Sequence, residues 1–472
     1  MVAAGTGPCA VEQRTVGFVG KSPCEGSGQG ARFGELEHGV TVDTTRKVSA
    51  PVPRLLHPPD RTGQWCPDLI RSVDSTILMM SITRGRRWTP AGPDPGAPME
   101  FGIFSNGYTP GPAAHDSESE HTELMREAEY AILADKHNWK YIWFGEHHGL
   151  TEYSHMSAPS PMMGWVAAQT DYIHIGSAIT SLPTNKEHPV RIAERAAMLD
   201  HVTNNRFEFG TGRGAGSHEL RTFNVMDPSV TKAQWDEVIR EIPRMWEQKD
   251  YDFDGEFFTV PTPHNILPKP YGRGHPPLWV ACGNPPTFAK AGSMGIGAIA
   301  FNFEPIHNLK GRVDAYKEAI QDPVDQIGQF KNDNVMMTNA CICLEDRDEA
   351  RAVAMAKGRG YLVTMVNMYH DTMPKSPDAI VWPNPPRDPG WTEELLDMAI
   401  DGGYMLCGNP EEVCEQLNNY KDVGCDQVVF GLPTEGLTHD QTLEMVELFG
   451  DQVIPEHDGD RVHSTDRYRA RA

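Results

Sequence analysis

Short apolar runs alternate with amphipathic helical stretches along most of this chain, from Met99 onward. Each run has the length of a buried strand, and each is followed by a stretch with the period of a helix. About eight such units follow one another, which is the repeat number of a (β/α)8 barrel. We therefore predict an α/β fold, a TIM barrel with insertions. The predicted strands are residues 101–104, 141–144, 174–178, 206–209, 278–282, 298–301, 335–344 and 427–430.

The predicted helices fill the intervals between these strands. A doubly wound sheet also alternates strands with helices, but it has fewer strands and carries its glycine-rich fingerprint turn after the first of them. In this chain the glycine-rich turn follows the fourth predicted strand, which favours the barrel. The predicted helices are residues 118–137, 161–170, a stretch that starts at 189, 231–247, 286–292, 307–320, 348–366, 410–423 and 439–449.

The glycine-rich turn has the sequence RFEFGTGRGAG at residues 206–216. Glycine supplies positive φ angles and lets the backbone approach a ligand closely. Arg213, in the middle of the turn, carries a planar guanidinium group that suits a phosphate or a carboxylate. We interpret the turn as an anion-binding site. The alternative is a flexible connection between strand and helix that carries a solvated arginine.

The second predicted strand ends in Gly145-Glu146-His147-His148. In a parallel barrel, functional side chains gather at the carboxyl ends of the strands. Neighbouring strand residues point to opposite faces, so two adjacent histidines do not easily bind one ion. The other predicted strand ends carry no His or carboxylate cluster that would complete a ligand set. We therefore predict a flat, anionic ligand at this end of the barrel and no metal.

The charge balance excludes some classes of partner. The chain has 42 Lys and Arg against 65 Asp and Glu, a net charge of −23, which disfavours nucleic acid and anionic membranes. Nine cysteines without a Cys-x-x-Cys pair are typical of a reduced, cytoplasmic protein. No apolar run approaches the ~18 residues of a membrane span. Residues 1–14 lack the charged start and apolar stretch of a signal peptide.

The composition divides the chain into three parts. In residues 1–98, Gly, Pro, Ser and Arg recur without hydrophobic period, so we predict a disordered extension. Residues 99–455 form the predicted barrel domain, and residues 456–472 a polar C-terminal tail. Within the barrel domain, the proline-rich residues 370–392 are predicted to form a long loop.

Several short motifs of the barrel domain occur together. They are Glu146-His147-His148 with Thr151-Glu152, Ile175-Gly176-Ser177-Ala178 before Leu182-Pro183-Thr184, His188-Pro189-Val190-Arg191, Arg206-Phe207-Glu208-Phe209-Gly210 with Arg213-Gly214, and Gly408-Asn409-Pro410-Glu411-Glu412. Together they resemble the bacterial luciferase-like family of flavin-dependent monooxygenases. The resemblance covers roughly residues 99–455.

The resemblance implies a TIM barrel that binds reduced FMN, supplied by a separate flavin reductase, and uses oxygen to oxidise a small organic substrate. His147 matches the family histidine that assists the chemistry. Arg213 and Thr287 match residues on the side of the flavin phosphate, and Ala178 and Ile179 match an unusual cis peptide beneath the flavin ring. The loop at 370–392 lies where the family carries a mobile lid. We also expect a homo- or heterodimer.

Three departures bear on the substrate. Gly212 stands where the light-emitting chains have a reactive cysteine, and Gly283 stands where they have a glutamate. The residues Asn185-Lys186-Glu187 lengthen the loop before His188. We therefore predict an FMN-dependent monooxygenase without assigning it light emission or a long-chain aldehyde. The alternatives are a deazaflavin-dependent dehydrogenase of the same superfamily and a non-catalytic flavin-binding protein.

Overall fold

The computed structural model of the chain describes residues 98–109, 116–150, 153–214, 216–301, 304–356, 391–432 and 436–472. The predicted extension at 1–98 and the predicted lid at 370–392 lie almost entirely outside these residues. Within the described ranges, no helix is long and apolar enough to cross a membrane.

Parallel strands form a closed barrel. In spatial order the ring is β1-β2-β3-β4-β7-β8-β9-β11, and β11 pairs with β1 to close it. This ring of eight strands confirms the predicted TIM barrel. The described strands are β1 Glu100–Ser105, β2 Tyr141–Phe144, β3 His174–Ser181, β4 Phe207–Gly212, β5 Tyr251–Asp254, β6 Thr259–His264, β7 Leu278–Cys282, β8 Gly297–Phe301, β9 Val335–Cys343, β10 Met405–Gly408 and β11 Gln427–Gly431.

Three of these strands lie outside the ring. β5 and β6 form an antiparallel hairpin, and β10 pairs with the carboxyl half of the long strand β9. None of the three was predicted. The hairpin sequence is rich in Asp and Pro, which are depleted in strands, and Met405–Gly408 is too short to show a period.

Helices surround the ring, and most of them start or end close to the predicted residues. They are α1 Ser117–Ala134, α2 Pro159–Ala167, α3 Pro189–Val202, α4 Ser217–Thr222, α5 Val230–Glu247, α6 Pro285–Ser293, α7 Lys310–Gln321, α8 Arg347–Met355, α9 Glu393–Asp401, α10 Pro410–Val423, α11 His439–Leu448, α12 Ile454–His457 and α13 Ser464–Arg469, with a 3-10 turn at Ile306–Leu309 and a π turn at Phe449–Val453.

Capping residues explain where the helices begin. Before α10, the side chain of Asn409 accepts a hydrogen bond from the backbone of Glu412, whose carboxylate returns to the backbone of Asn409. Pro410 occupies the first turn, where a missing N–H has no cost. Before α6, the Asn284 side chain accepts from the backbone N–H of Thr287 in the same way. Each such bond satisfies a donor that the helix itself leaves unpaired.

Large aromatic side chains fill the barrel interior. The rings of Trp143 and Trp279 meet edge to face with centroids 5.2 Å apart. Two glycines make room for them: a Cβ on Gly176 would lie 2.2 Å from a Trp143 ring carbon, and one on Gly297 would lie 2.4 Å from a Trp279 ring carbon. The interior cluster consists of Phe104, Tyr141, Trp143, Ala178, Trp279, Ile299, Met336 and Val429. A second, larger cluster lies between the strands and the helices.

The chain from Asp458 onward packs against the amino-terminal ends of the strands. Residues 456–472 were expected to be a polar tail, but α13 is bound to buried strand carboxylates. The Ser464 backbone and hydroxyl donate to Glu100 at 2.8 and 2.6 Å, and the Thr465 hydroxyl donates to Glu208 at 2.6 Å. The guanidinium group of Arg469 donates to both oxygens of Asp200 at 2.8 Å. The segment lacks hydrophobic period because it buries polar partners.

Glu100 is part of a buried ionic group at this end of the barrel. The Lys140 ammonium lies 2.8 Å from the carboxylates of both Glu100 and Asp458, and none of the three side chains is more than 4% exposed. Tyr141 donates to Glu100 at 2.7 Å. Each carboxylate therefore depends on a cation or hydroxyl brought by another element.

Two stacked histidines lie next to Glu208. The rings of His174 and His463 are nearly parallel, at 12°, with centroids 3.7 Å apart. Asp466 Oδ2 lies 3.6 Å from His174 Nε2 and 3.7 Å from His463 Nδ1. Burial opposes protonation, but hydrogen bonds to Asp466 and Glu208 raise the pKa of His174 to about 9. Because the ring planes are parallel, their in-plane lone pairs do not meet at one point, so the trio has the geometry of a hydrogen-bonded network.

Candidate active site

The predicted site residues lie at the carboxyl end of the barrel. His147 follows β2, Ala178 and Ile179 lie in β3, Arg213 follows β4, and Thr287 lies in the first turn of α6, after β7. These four strands are consecutive neighbours in the sheet. The topology therefore brings the predicted residues to one side of the barrel mouth.

His147 is held by contacts from three directions. Its Nδ1 lies 3.5 Å from Oε2 of Glu219, and its ring packs on that of Tyr153 with centroids 5.0 Å apart. Its backbone N–H donates to the carbonyl of Met156 at 3.2 Å. At 3.5 Å the contact with Glu219 is an ion-pair distance and longer than a typical hydrogen bond, so it places a negative charge beside the ring without fixing its tautomer. This side chain can accept or return a proton.

His148 contacts the same glutamate through its backbone. Its N–H donates to Oε1 of Glu219 at 3.0 Å, while its ring nitrogen Nε2 lies 3.1 Å from Glu146 and its ring packs against Phe223. Burial lowers the pKa of His148, and Glu219 opposes that shift. The strand ends at Phe144, so the alternation of side chains used above does not apply to these two histidines. Strand alternation therefore gives no ground for separating the two histidine rings, and the prediction that used it was wrong on this point.

Lys186 enters this cluster from the lengthened loop before α3. Its ammonium group forms an ion pair with Glu146, and its side chain is only 11% exposed. Burial lowers the pKa of Lys186 to about 8, while Glu219 opposes that shift. A small cavity beside it is lined by Ser181, Pro183, Gly214, Leu220, Phe223 and Val225 together with His148, Lys186 and Glu219.

Two glycines of the turn have conformations or surroundings that other residues do not readily accept. Gly214 has φ +83°, and a Cβ on Gly210 would lie 2.1 Å from the carbonyl oxygen of Ser177, so neither position accepts another residue without strain. The Arg213 side chain is exposed, and its guanidinium group donates to the hydroxyl of Thr231 at 3.4 Å. The guanidinium group of Arg213 therefore lies at the mouth of the barrel.

Thr287 lies at the amino terminus of α6. Its hydroxyl and its backbone N–H both donate to the side chain of Asn284, at 2.8 and 3.3 Å. The helix start that carries Thr287 follows β7, the sheet neighbour of β4. Pro285 and Pro286 precede Thr287 and carry no N–H, so the Thr287 hydroxyl is the group that this helix start could turn toward an anion.

The peptide bond between Ala178 and Ile179 is trans, so the expected cis bond is wrong. Among the described residues, the cis bond joins Leu267 and Pro268. β3 instead has an irregularity at this point, because its register with β4 shifts between Ser177 and Thr180.

The two glycine departures have different surroundings. Ile179 occupies the space next to Gly212, since a Cβ there would lie 2.5 Å from Ile179 Cγ2. A Cβ on Gly283 would meet no described atom within 4 Å. A side chain is therefore excluded at 212 by the present Ile179 rotamer, whereas the end of β7 is open.

Sequence reasoning missed Glu219, Lys186 and Tyr153. Glu219 carries a recognisable signal, because an acidic residue in the first turn of the helix after the glycine turn is well placed to reach the strand ends. For Lys186 the only signal was the lengthened loop, which does not reveal where its side chain points.

Comparison with known proteins supports one family. The model of the luciferase-like monooxygenase family matches residues 99–427. The oxygenase component of a flavin-dependent trigonelline monooxygenase from Acinetobacter baylyi is 24% identical over 351 residues, which cover 71% of this chain and 91% of that protein. A coenzyme F420-dependent glucose-6-phosphate dehydrogenase from Amycolatopsis mediterranei is 22% identical over 339 residues, which cover 70% and 93%.

A solved structure agrees in fold. It is the oxygenating constituent of 3,6-diketocamphane monooxygenase from the CAM plasmid of Pseudomonas putida, a type II Baeyer-Villiger monooxygenase in complex with FMN. It superposes with a TM-score of 0.60 at 17% identity and covers 76% of this chain and 99% of its own. The motifs predicted from the sequence, the closed barrel and the matched family model together show that the chain belongs to the luciferase-like monooxygenase family.

Proposed function

We propose that the protein is a monooxygenase that takes reduced FMN from a separate flavin reductase and uses oxygen to oxidise a small organic substrate. The observation that carries the proposal is the His147–Glu219 pair on the same side of the barrel mouth as the Arg213 turn. The pair supplies a proton-handling group, and the turn supplies an anchor for an anionic cofactor. The relative from Acinetobacter, an oxygenase component by name, supports a two-component arrangement.

The residues at the barrel mouth fit the phosphate of FMN. Arg213 offers a planar donor pair, and Thr287 adds a hydroxyl at the start of α6, after the neighbouring strand β7. The net charge of −23 repels an anion at long range, so local donors have to hold it. When bound, the reduced flavin would supply the electrons for oxygen activation.

The chain's own residues would bind the cofactor, exclude water and move a proton. His147 would exchange a proton through its imidazole ring, beside the carboxylate of Glu219. Tyr153 and Phe223 pack against the two histidines and cover them from water. A covered site strengthens the electrostatic contacts inside it.

A dehydrogenase that uses a deazaflavin cofactor is the second candidate. It is supported by the relative from Amycolatopsis, whose name gives coenzyme F420 as its cofactor. The anion-binding turn fits the phosphate of either cofactor. The two functions differ in their need for oxygen, which gives a direct test.

The test is oxygen consumption by the purified protein with FMN, NADH and a flavin reductase. The substrate panel contains aldehydes, ketones, thioethers and an N-methylated pyridine carboxylate. We expect substrate-dependent oxygen uptake with one oxygen atom in the product, checked with ¹⁸O₂ and mass spectrometry. Anaerobic, substrate-dependent reduction of added coenzyme F420, with the substrate as the hydride donor and no oxygen uptake, would instead establish the dehydrogenase. Sedimentation of the same sample tests the proposed homo- or heterodimer.

Arg213→Ala is expected to weaken binding of reduced FMN roughly 10- to 100-fold, because it removes charge-assisted hydrogen bonds to the phosphate. Arg213→Lys should recover only part of the affinity, since it keeps the charge and loses the fork. Riboflavin has no phosphate, so its weaker binding should barely change. The measurement is a pair of anaerobic titrations, with FMN and with riboflavin.

Arg221→Ala is the matched control for this experiment. Arg221 is exposed on α4, the next helix along the chain. The Arg221→Ala variant should therefore bind both flavins with the wild-type affinity. Equal losses for FMN and riboflavin in Arg213→Ala would show that the arginine shapes the pocket without binding the phosphate, and the assignment would then be wrong.

A further inference from the structure

In the lengthened loop before α3, the side chain of Lys186 points into the candidate site, while those of Asn185 and Glu187 bind residues outside it. The Asn185 side chain accepts a hydrogen bond from Gln234 at 3.0 Å, and both carboxylate oxygens of Glu187 accept from Arg195 at 2.6 Å. Between these two anchors, Lys186 turns inward to Glu146. The extra residues of the loop thus place a buried cation beside the two histidines.

Two carboxylates and one ammonium group share this space. The side chains of Glu146 and Glu219 are 9% and 7% exposed, so water screens them little. Glu146 lies between two possible partners, because it contacts the Lys186 ammonium and also lies 3.1 Å from His148 Nε2. Lys186 and His148 therefore compete for the same carboxylate.

Burial already lowers the pKa of His148, and the competition for Glu146 acts on the charge of the same ring. A buried carboxylate without a cation favours a proton on the nearest imidazole. With Lys186 charged, Glu146 is already neutralised, and Glu219 also lies within range of the ammonium group. The charged groups facing Lys186 are Glu146, Glu219, Glu187 and Arg195, and the last two are occupied with each other.

We propose that Lys186 is a positioning residue of the candidate site, whose ammonium group neutralises Glu146 and so keeps the His148 ring uncharged beside His147. It acts through Glu146 and needs no contact with the substrate. The effect on catalysis rests on the proposed function, because it assumes that His147 exchanges a proton during turnover. The effect on charge concerns the protein alone and can be measured without a cofactor.

The experiment is an NMR titration of the cofactor-free protein carrying ¹³C-labelled histidine rings. Lys186→Met removes the charge and keeps most of the volume, Lys186→Gln is a second neutral variant in case the first does not fold, and Lys186→Arg keeps the charge. We expect the pKa of His148 to rise by about one pH unit in the neutral variants and to stay near the wild-type value in Lys186→Arg.

Lys232→Met is the control, because Lys232 is exposed on α5 and should leave the His148 titration unchanged. No shift in either neutral variant would overturn the proposal. An equal shift in Lys186→Arg would also overturn it, because the cause would then be the shape of the lysine and not its charge.

A second measurement separates the effect of Lys186 on the charge of His148 from its effect on turnover. In the active enzyme, the acid limb of the pH profile of kcat/KM should move to higher pH in Lys186→Met, and Lys186→Arg should restore it. If no monooxygenase activity is found, the NMR result still decides the charge proposal. If the NMR shift occurs and the pH profile stays fixed, His148 is neutralised as proposed but its charge has no part in turnover, and the positioning role is refuted.

Discussion

Replacing His147 with alanine is expected to lower turnover about 10²-fold or more, the usual loss when an acid–base group is removed. Reduced FMN should still bind with nearly the wild-type affinity, because the proposed phosphate site at Arg213 lies after a different strand. The fold should also persist, since His147 lies in the loop beyond β2 and is not part of either apolar core. The measurements are single-turnover kinetics and a flavin titration on the same preparation.

Two further variants test whether the loss of turnover is specific to His147. His121→Ala removes a histidine that is exposed on α1 and should leave turnover unchanged. Glu219→Gln keeps an acceptor for the backbone of His148 but loses the charge that orients His147, so it should lie between wild type and His147→Ala. A turnover loss in His147→Ala that is matched by an equal loss of flavin affinity would contradict a role in the chemistry.

Lys140→Met is expected to lower the free energy of unfolding by about 3–5 kcal/mol, the range for breaking a buried ion pair from one side. The substitution leaves the carboxylates of Glu100 and Asp458 buried without their common cation. Urea denaturation followed by circular dichroism measures the change. The matched control is Arg191→Met, which removes a 70% exposed side chain from an i,i+3 pair with Glu194 and should cost less than about 1 kcal/mol.

The pH dependence of this variant checks the cause. Burial already raises the pKa of Asp458 in the wild type, where Lys140 opposes the shift, so removing the lysine raises it further. A carboxyl group whose pKa is higher in the folded state contributes stability below its unfolded value and loses it as the pH rises. The deficit of Lys140→Met should therefore shrink as the pH falls. A deficit that is independent of pH would point to lost packing of the lysine stem.

The barrel could be predicted because its strands are short, apolar and regularly spaced. β2 and β7 begin and end at the predicted residues, and the predicted strands at 206–209 and 427–430 are each within three residues of β4 and β11. Strand order also followed, because parallel neighbours require a helix between them. The placement of His147 and Arg213 at strand ends needed only that topology.

What the sequence did not reveal depends on contacts between distant residues. Lys186 comes from the loop before α3 and Glu219 from the first turn of α4, and neither has a local pattern that identifies its partner. The hairpin β5–β6 has the Asp and Pro content of a loop, and the register shift between β3 and β4 has no signal in either strand alone. The residues after Asp458 look like a solvated tail because their partners, Glu100 and Glu208, are far away in the chain.

The packing of α13 has a consequence for how the protein is made. Ser464 binds Glu100 across 364 residues of sequence, so the first strand leaves the ribosome long before its partner exists. At a synthesis rate of 5–20 residues per second, that interval is about 20 to 70 s. During it, the carboxylates of Glu100 and Glu208 lack the hydroxyl groups of Ser464 and Thr465, and the bottom of the nascent barrel stays open to water. The polar contacts at this end of the barrel can therefore form only after α13 has emerged.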